Sequence, residues 1–124
     1  MTDRTLPAIG HYINGQLVAS TSGRSQPVFN PATGAASAEV ALGSAAEVNA
    51  AVAAASAAAP AWADTAPLKR GRILSKFKEL IEKNHDALAA CITREHGKVF
   101  SDAKGEVVRG LEIVEFATGI PQLL

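Results

Sequence analysis

Between Ala45 and Ala63 twelve of nineteen residues are alanine, and that run limits the folds open to the chain more than any other stretch. Alanine is the strongest helix former because it has no side-chain entropy to lose, yet its single methyl removes little area from water. A long helix is therefore predicted that adds regular backbone and little core. Its start is marked by Ser44-Ala45-Ala46-Glu47, a capping box in which the serine hydroxyl accepts from the glutamate N–H and the glutamate carboxylate accepts from the serine N–H. Pro60 is expected to stop the helix, since it has no N–H and its ring crowds the carbonyl one turn back. Val48, Ala51, Val52 and Ala55 make the apolar stripe.

The residues ahead of this helix read as short strands. His11-Tyr12-Ile13, Asn14-Gly15 and Gln16-Leu17-Val18-Ala19 form a hairpin pattern, because Asn-Gly accepts the positive φ angles of a tight two-residue turn. A polar loop from Ser20 to Ser25 leads to an extended piece at Pro27-Val28-Phe29, a turn over Asn30 to Gly34 and a strand over Ala38 to Leu42, the turn residues being those that tolerate such backbone angles.

Helices are predicted for the rest. Asp64 and Thr65 are candidate caps for a helix with Pro67 in its first turn, and Ile73, Leu74, Phe77, Leu80 and Ile81 are its expected inward face. Asn84 to Asp86 breaks or bends that helix before it resumes over Ala87 to His96. Gly97 then supplies a left-handed cap, with Arg94, His96 and Lys98 gathered where the helix dipole is negative. A last helix starts near Ser101. Ala103, Val107, Leu111 and Val114 recur at helical spacing, while Lys104, Glu106, Arg109, Glu112 and Glu115 occupy the remaining arc.

A wound α/β domain needs buried parallel strands that read as runs of four to eight Val, Ile and Leu, and no such run occurs. Alanine is the largest single part of the 48% hydrophobic share and aromatics make up only 5%, so the core expected from this chain is thin. Strands and a helical layer without a sheet between them are marginal by themselves. The reading is therefore of the opening segment of a larger protein: a β-rich arm over residues 1–43 and a helical layer over residues 44–124. Twelve acidic and twelve basic residues cancel, and the charges form no long run of one sign, which points away from nucleic acid and from a membrane as partners. One cysteine cannot form an internal disulfide and the first residues carry no apolar signal core, so a cytoplasmic location is expected.

Several residues invite a chemical role. Cys91 sits within Leu88-Ala89-Ala90-Cys91-Ile92, an apolar mid-helix setting unlike that of a reactive thiolate, so it is read as structural. His11, His85 and His96 have no metal-ligand spacing with each other or with Cys91. Gly105 to Gly110 has the outer glycines of a phosphate loop, but Leu111 stands where the lysine belongs and the segment is helical. No G-x-G-x-x-G is present, so no dinucleotide fingerprint is found. Arg109 has Glu106 and Glu112 three residues away on either side, and sequence physics by itself makes it a solvated charge paired with one of them.

Glu95-His96-Gly97-Lys98, the run Gly105-Glu106-Val107-Val108-Arg109-Gly110 and the stretch Arg109 to Ala117, RGLEIVEFA, together resemble the N-terminal part of an aldehyde dehydrogenase. The last stretch is similar to the branch that acts on methylmalonate semialdehyde. Tyr12-Ile13-Asn14-Gly15, Asn30 to Gly34 and Ala61-Trp62-Ala63 extend the likeness over nearly the whole chain, in the same order and at similar spacing.

The resemblance implies an aldehyde dehydrogenase fold of the α/β class, of which this chain is the N-terminal hairpin and short strands followed by three to four helices, lacking the parallel sheet and the catalytic domain. It implies a parent that oxidises malonate or methylmalonate semialdehyde with NAD, loses carbon dioxide and passes the acyl group to coenzyme A. Cys91 does not match the family's nucleophile, which lies on a later loop, and no catalytic, cofactor-binding or metal-binding residue carries over. Arg109 does: it is similar in place to an arginine that grips the substrate carboxylate, on a helix that borders the substrate entrance, and Gly110 beside it fits a close helix approach. The implied partners are the rest of the polypeptide and further copies in a dimer or tetramer, with neither NAD nor coenzyme A expected on the isolated segment. The alternative is a non-enzymatic helical module, or decoy subunit, that uses these residues as an interaction surface.

Overall fold

The computed structural model describes residues 6–123. Two compact units divide between Trp62 and Ala63, so the alanine-rich helix belongs with the strands.

In the first unit a three-stranded sheet has the order β1 (Ala8–Ile9), β5 (Ala36–Ala41), β4 (Ser25–Phe29), and a separate hairpin joins β2 (His11–Ile13) to β3 (Gln16–Val18). The hairpin pairs His11 with Val18 and Ile13 with Gln16. Its turn residues Asn14 and Gly15 have φ of 52° and 75°, the two positive values that a tight primed turn requires. Strands β4 and β5 run antiparallel with an irregularity between Val28 and Phe29. The connecting turn is closed by Gly34 N–H donating to the Asn30 carbonyl at 2.8 Å and Ala32 N–H donating to the Asn30 side chain at 2.9 Å.

Strand β1 is an addition to the sequence reading. It pairs parallel to β5 through Ala8 with Glu39 and Ile9 with Val40. Two residues are too few to leave a hydrophobic pattern, and the buried sheet of a wound domain is still not formed by so short a pairing.

Helix α1 covers Ala45–Ala63. Its capping box forms as expected: Ser44 N–H donates to Glu47 Oε2 at 2.6 Å, and Glu47 N–H donates to Ser44 Oγ at 3.3 Å. Pro60, however, does not stop the helix. It removes one bond, to the Ser56 carbonyl one turn back, and helical backbone continues three residues past it. None of the helix is buried, and Val48 and Val52 of the expected stripe are 57% and 58% exposed.

The second unit is four elements folded on one another: α2 (Pro67–Lys83), α3 (His85–His96), α4 (Phe100–Gly119) and a short 3-10 turn over Ile120–Leu123. The cap of α2 is Ala66, with Pro67 at the first helical position, so neither Asp64 nor Thr65 caps it. The fixed φ of Pro67 starts the helix without a side-chain acceptor, because proline has no free N–H to satisfy. Gly71, Leu74, Lys78 and Ile81 form the stripe of α2 that is turned from solvent. At Gly71 the chain passes so near the end of α4 that an added Cβ would meet the Thr118 carbonyl oxygen at 3.2 Å. Ile73, Phe77 and Leu80, expected inward, are about half exposed at 49%, 50% and 47%. The apolar arc of α2 is wider than one neighbouring helix covers.

Asn84 separates α2 from α3 and its amide donates to the Leu80 carbonyl at 2.7 Å. Gly97 ends α3 in the left-handed region, φ 83°, with its N–H donating to the Thr93 carbonyl at 2.9 Å. A Cβ is disfavoured at that angle. Gly97→Ala is expected to destabilise the chain by about 1 kcal/mol, read as a lower urea midpoint with an unchanged slope.

The small core lies where α3 crosses α4. Ala89 and Ala103 are wholly buried and Val107 is 7% exposed, with Ile81 and Ile92 packed against them. Alanines at the crossing allow the two backbones to approach closely. Ion pairs flank it: Lys104 Nζ reaches Asp86 Oδ1 at 2.8 Å between α4 and α3, and Lys78 Nζ reaches Glu115 Oε1 at 3.2 Å between α2 and α4.

Candidate functional site

Helix α4 begins at Phe100 behind an extended cap residue, Val99, that offers no side-chain acceptor. Asp102 in the first turn is favoured there by the helix dipole. Asp102, Glu106 and Arg109 follow at helical spacing on one face, and Lys98 stands just ahead of that face. The Lys98 Nζ donates to Asp102 Oδ2 at 2.8 Å and to Glu106 Oε1 at 2.7 Å. Arg109 Nη1 in turn donates to the same Glu106 oxygen at 3.0 Å.

These contacts set the charge states. The two carboxylates hold the Lys98 ammonium above its ordinary value, the Asp102 bond contributing more than that of Glu106. Lys98 lowers both Asp102 and Glu106, and the positive charge of Arg109 adds to the effect on Glu106. Lys98, Asp102 and Glu106 are therefore ionised near neutral pH. Lys98 is largely covered, at 20% side-chain exposure, whereas Arg109 is 73% exposed. A guanidinium has five N–H donors in a planar fork, so one bond to Glu106 leaves an edge able to meet both oxygens of a second carboxylate.

The other residues singled out by sequence stand apart from this arrangement. Cys91 is exposed on α3, with Arg94 Nη2 at 3.8 Å from its Sγ. The apolar surroundings expected of it belong to Ala89 two positions earlier, which faces α4 instead. Gly105 and Gly110 both lie within α4, and a Cβ on either would meet open space. Among the described residues nothing approaches Gly110, although it continues the Ala103 and Val107 face two turns on from Ala103. His85 Nδ1 lies 3.2 Å from Asp86 Oδ1. Among the described residues no group of three His, Cys, Asp or Glu side chains is placed to hold a metal ion, and none forms a glycine-rich strand-to-helix turn of the kind that holds a dinucleotide pyrophosphate. Among the described residues no helix is long and apolar enough to cross a membrane.

Residue patterns do not single out Asp102, and they place Lys98 only at the end of α3. The signal for Asp102 was present, since it precedes Glu106 by four residues on one helix face, whereas Lys98 lies ahead of the helix and is brought there by the turn at Gly97.

A second polar cluster lies in the first unit around Glu47. Its Oε1 accepts from Thr21 N–H at 2.7 Å, and its Oε2 takes the Ser44 N–H. The Ser44 backbone bond, then that of Thr21, then the Ser20 and Ser44 hydroxyls, lower its pKa to about 2. A carboxylate depressed on folding contributes stability that is complete above the ordinary glutamate range and is lost as pH falls towards the folded value. Glu47→Gln should therefore lower the thermal midpoint near neutral pH. The gap to wild type should close as the pH is taken down to about 2. Midpoints measured across that range check it, and a gap independent of pH would contradict it.

Residues 17–124 match the aldehyde dehydrogenase family. The chain belongs to that family. Malonate-semialdehyde dehydrogenase 3 of Geobacillus kaustophilus is 50% identical over 114 residues, which is 92% of this chain and 24% of the relative. The crystal structure of a protein described as a methylmalonate-semialdehyde dehydrogenase from Sinorhizobium meliloti, complexed with NAD, superposes with a TM-score of 0.92 at 50% identity, over 97% of this chain and 24% of that one. The enzyme of the same name from Oceanimonas doudoroffii gives 0.92 and 50% over 96% of this chain and 24% of that one. Strands and helices thus have the arrangement of the N-terminal segment of an aldehyde dehydrogenase. The chain spans about a quarter of the length of the relatives it matches.

Proposed function

We propose that this chain is the N-terminal segment of an NAD-dependent, coenzyme A-acylating aldehyde dehydrogenase that acts on malonate or methylmalonate semialdehyde. Arg109 is the substrate-binding residue. The observation that carries the reading is its guanidinium, 73% exposed on α4 with Nη1 engaged by Glu106. An arginine fixed at one nitrogen and open along another edge suits the carboxylate that distinguishes these aldehydes from simple ones. The malonate- and methylmalonate-semialdehyde dehydrogenases at 50% identity support that substrate class.

NAD and coenzyme A are ligands of the parent, held by residues outside this segment, and the nucleophile belongs there too. The parent is a cytoplasmic homo-oligomer, dimer or tetramer. Support for assembly comes from the hairpin, where Tyr12 and Leu17 are 72% and 82% exposed, well above what an apolar side chain retains once covered.

Two measurements test the proposal. The complete enzyme should prefer malonate semialdehyde to propanal in kcat/KM by about 30-fold or more, the effect of one good charged contact. Equal use of the two aldehydes would remove the basis for Arg109. Residues 1–124 by themselves should neither turn over propanal nor give heat on titration with NAD, and activity that disappeared on Cys91→Ser would make that cysteine a nucleophile after all.

A further inference from the structure

The charge cluster on α4 contains more than Arg109. Glu106 Oε1 is shared by two cations, Lys98 Nζ at 2.7 Å and Arg109 Nη1 at 3.0 Å. Lys98 is itself held from a second side by Asp102 Oδ2 at 2.8 Å, and at 20% side-chain exposure it is the most covered member of the group. Among the described residues Glu106 is the one hydrogen-bond partner of Arg109. A long, exposed arginine side chain otherwise samples many rotamers, and each must be given up when a ligand is gripped.

We infer that Glu106, anchored by Lys98, is a positioning residue that holds the Arg109 guanidinium in the orientation used for the substrate carboxylate. This rests on the carboxylate-binding reading of Arg109. Order passes along the helix face from the covered lysine to the exposed arginine: Lys98 fixes the Glu106 carboxylate, and Glu106 fixes one edge of the fork. The opposite edge stays free for a ligand. Glu106 also places a negative charge near the incoming carboxylate, so charge and orientation act in opposite directions. Removing the carboxylate improves binding if charge dominates and weakens it if orientation dominates.

Steady-state kinetics of the complete enzyme separates them. Glu106→Ala should raise KM for malonate semialdehyde about three- to fivefold, the size expected for one exposed ion pair, with kcat little changed and propanal kinetics within about twofold. Glu106→Asp keeps the charge but shortens the reach, and it should resemble Glu106→Ala. Lys98→Met should shift KM in the same direction. A lower KM in Glu106→Ala, wild-type behaviour of Glu106→Asp, or equal losses on both aldehydes would each overturn the inference. Arg109→Leu measured alongside distinguishes the two levels. A selective loss there with no effect at Glu106 removes only the positioning role, and an unselective loss there removes the carboxylate reading with it.

Discussion

Arg109→Leu in the complete enzyme is expected to lower kcat/KM for malonate or methylmalonate semialdehyde by roughly 30- to several-thousand-fold, the range seen when one partner of a desolvated charge pair is removed. Propanal should be nearly unaffected, since it has no carboxylate and never used the contact. Arg109→Lys should recover part of the loss, because an ammonium keeps the charge but cannot offer two parallel N–H bonds. The competing account is that Arg109 merely completes the ion-pair chain with Glu106, 3.0 Å away. Exposed pairs of that kind contribute on the order of 0–1 kcal/mol to stability, so under that account the substitution would change both substrates slightly and equally. Kinetics of wild type and both variants on the two aldehydes therefore decide between recognition and simple surface pairing.

The second large effect is on folding. Ala103 is wholly buried where α4 meets Ala89 of α3, and it leaves no room for a longer side chain. Ala103→Leu should cost about 1–3 kcal/mol through overpacking. Ala103→Asp should cost more, about 3 kcal/mol or above, because it places an unpaired carboxylate at the crossing of the two helices. Gly105→Ala two positions on is the control. A Cβ there meets open space, and replacing a mid-helix glycine should stabilise by up to about 1 kcal/mol. Urea midpoints should fall from Gly105→Ala, above wild type, to Ala103→Leu and then Ala103→Asp, and an unchanged midpoint for Ala103→Asp would show that the α3–α4 crossing is not the core of this unit.

Features set by neighbouring residues were readable from the chain. The Ser44–Glu47 box, the Asn14-Gly15 turn, the Gly97 cap and the break at Asn84 each depend on a few adjacent groups that must satisfy their own N–H and C=O bonds, and each formed. The buried face of α4 was readable too, because Ala103 and Val107 keep strict helical spacing. What depends on distant partners was not. Ile73, Phe77 and Leu80 share the periodicity of Leu74 and Ile81, and only the position of α4 decides which of them are covered. Strand β1 forms because β5 offers an edge, not because Ala8-Ile9 has a pattern. Helix α1 runs through Pro60 because the proline removes a single bond to the preceding turn and leaves the rest of the ladder intact. Cys91 has apolar neighbours in sequence but faces out, since a helix turns successive residues by about 100 degrees and Ala89 takes the inward place. At the candidate site, helical spacing brought Glu106 and Arg109 together as expected, and the forward reach of Lys98 to both Asp102 and Glu106 required the geometry of the Gly97 turn.

The proposed parent is a dehydrogenase that oxidises malonate semialdehyde, loses carbon dioxide and transfers the acyl group to coenzyme A. Malonate semialdehyde, NAD and coenzyme A incubated with the complete enzyme, with the products separated and counted, test it most directly. The account predicts acetyl-coenzyme A, carbon dioxide and NADH in equal amounts, with no reduction of NAD beyond that ratio. Free malonate as the product, with NADH formed and no carbon dioxide released, would contradict it.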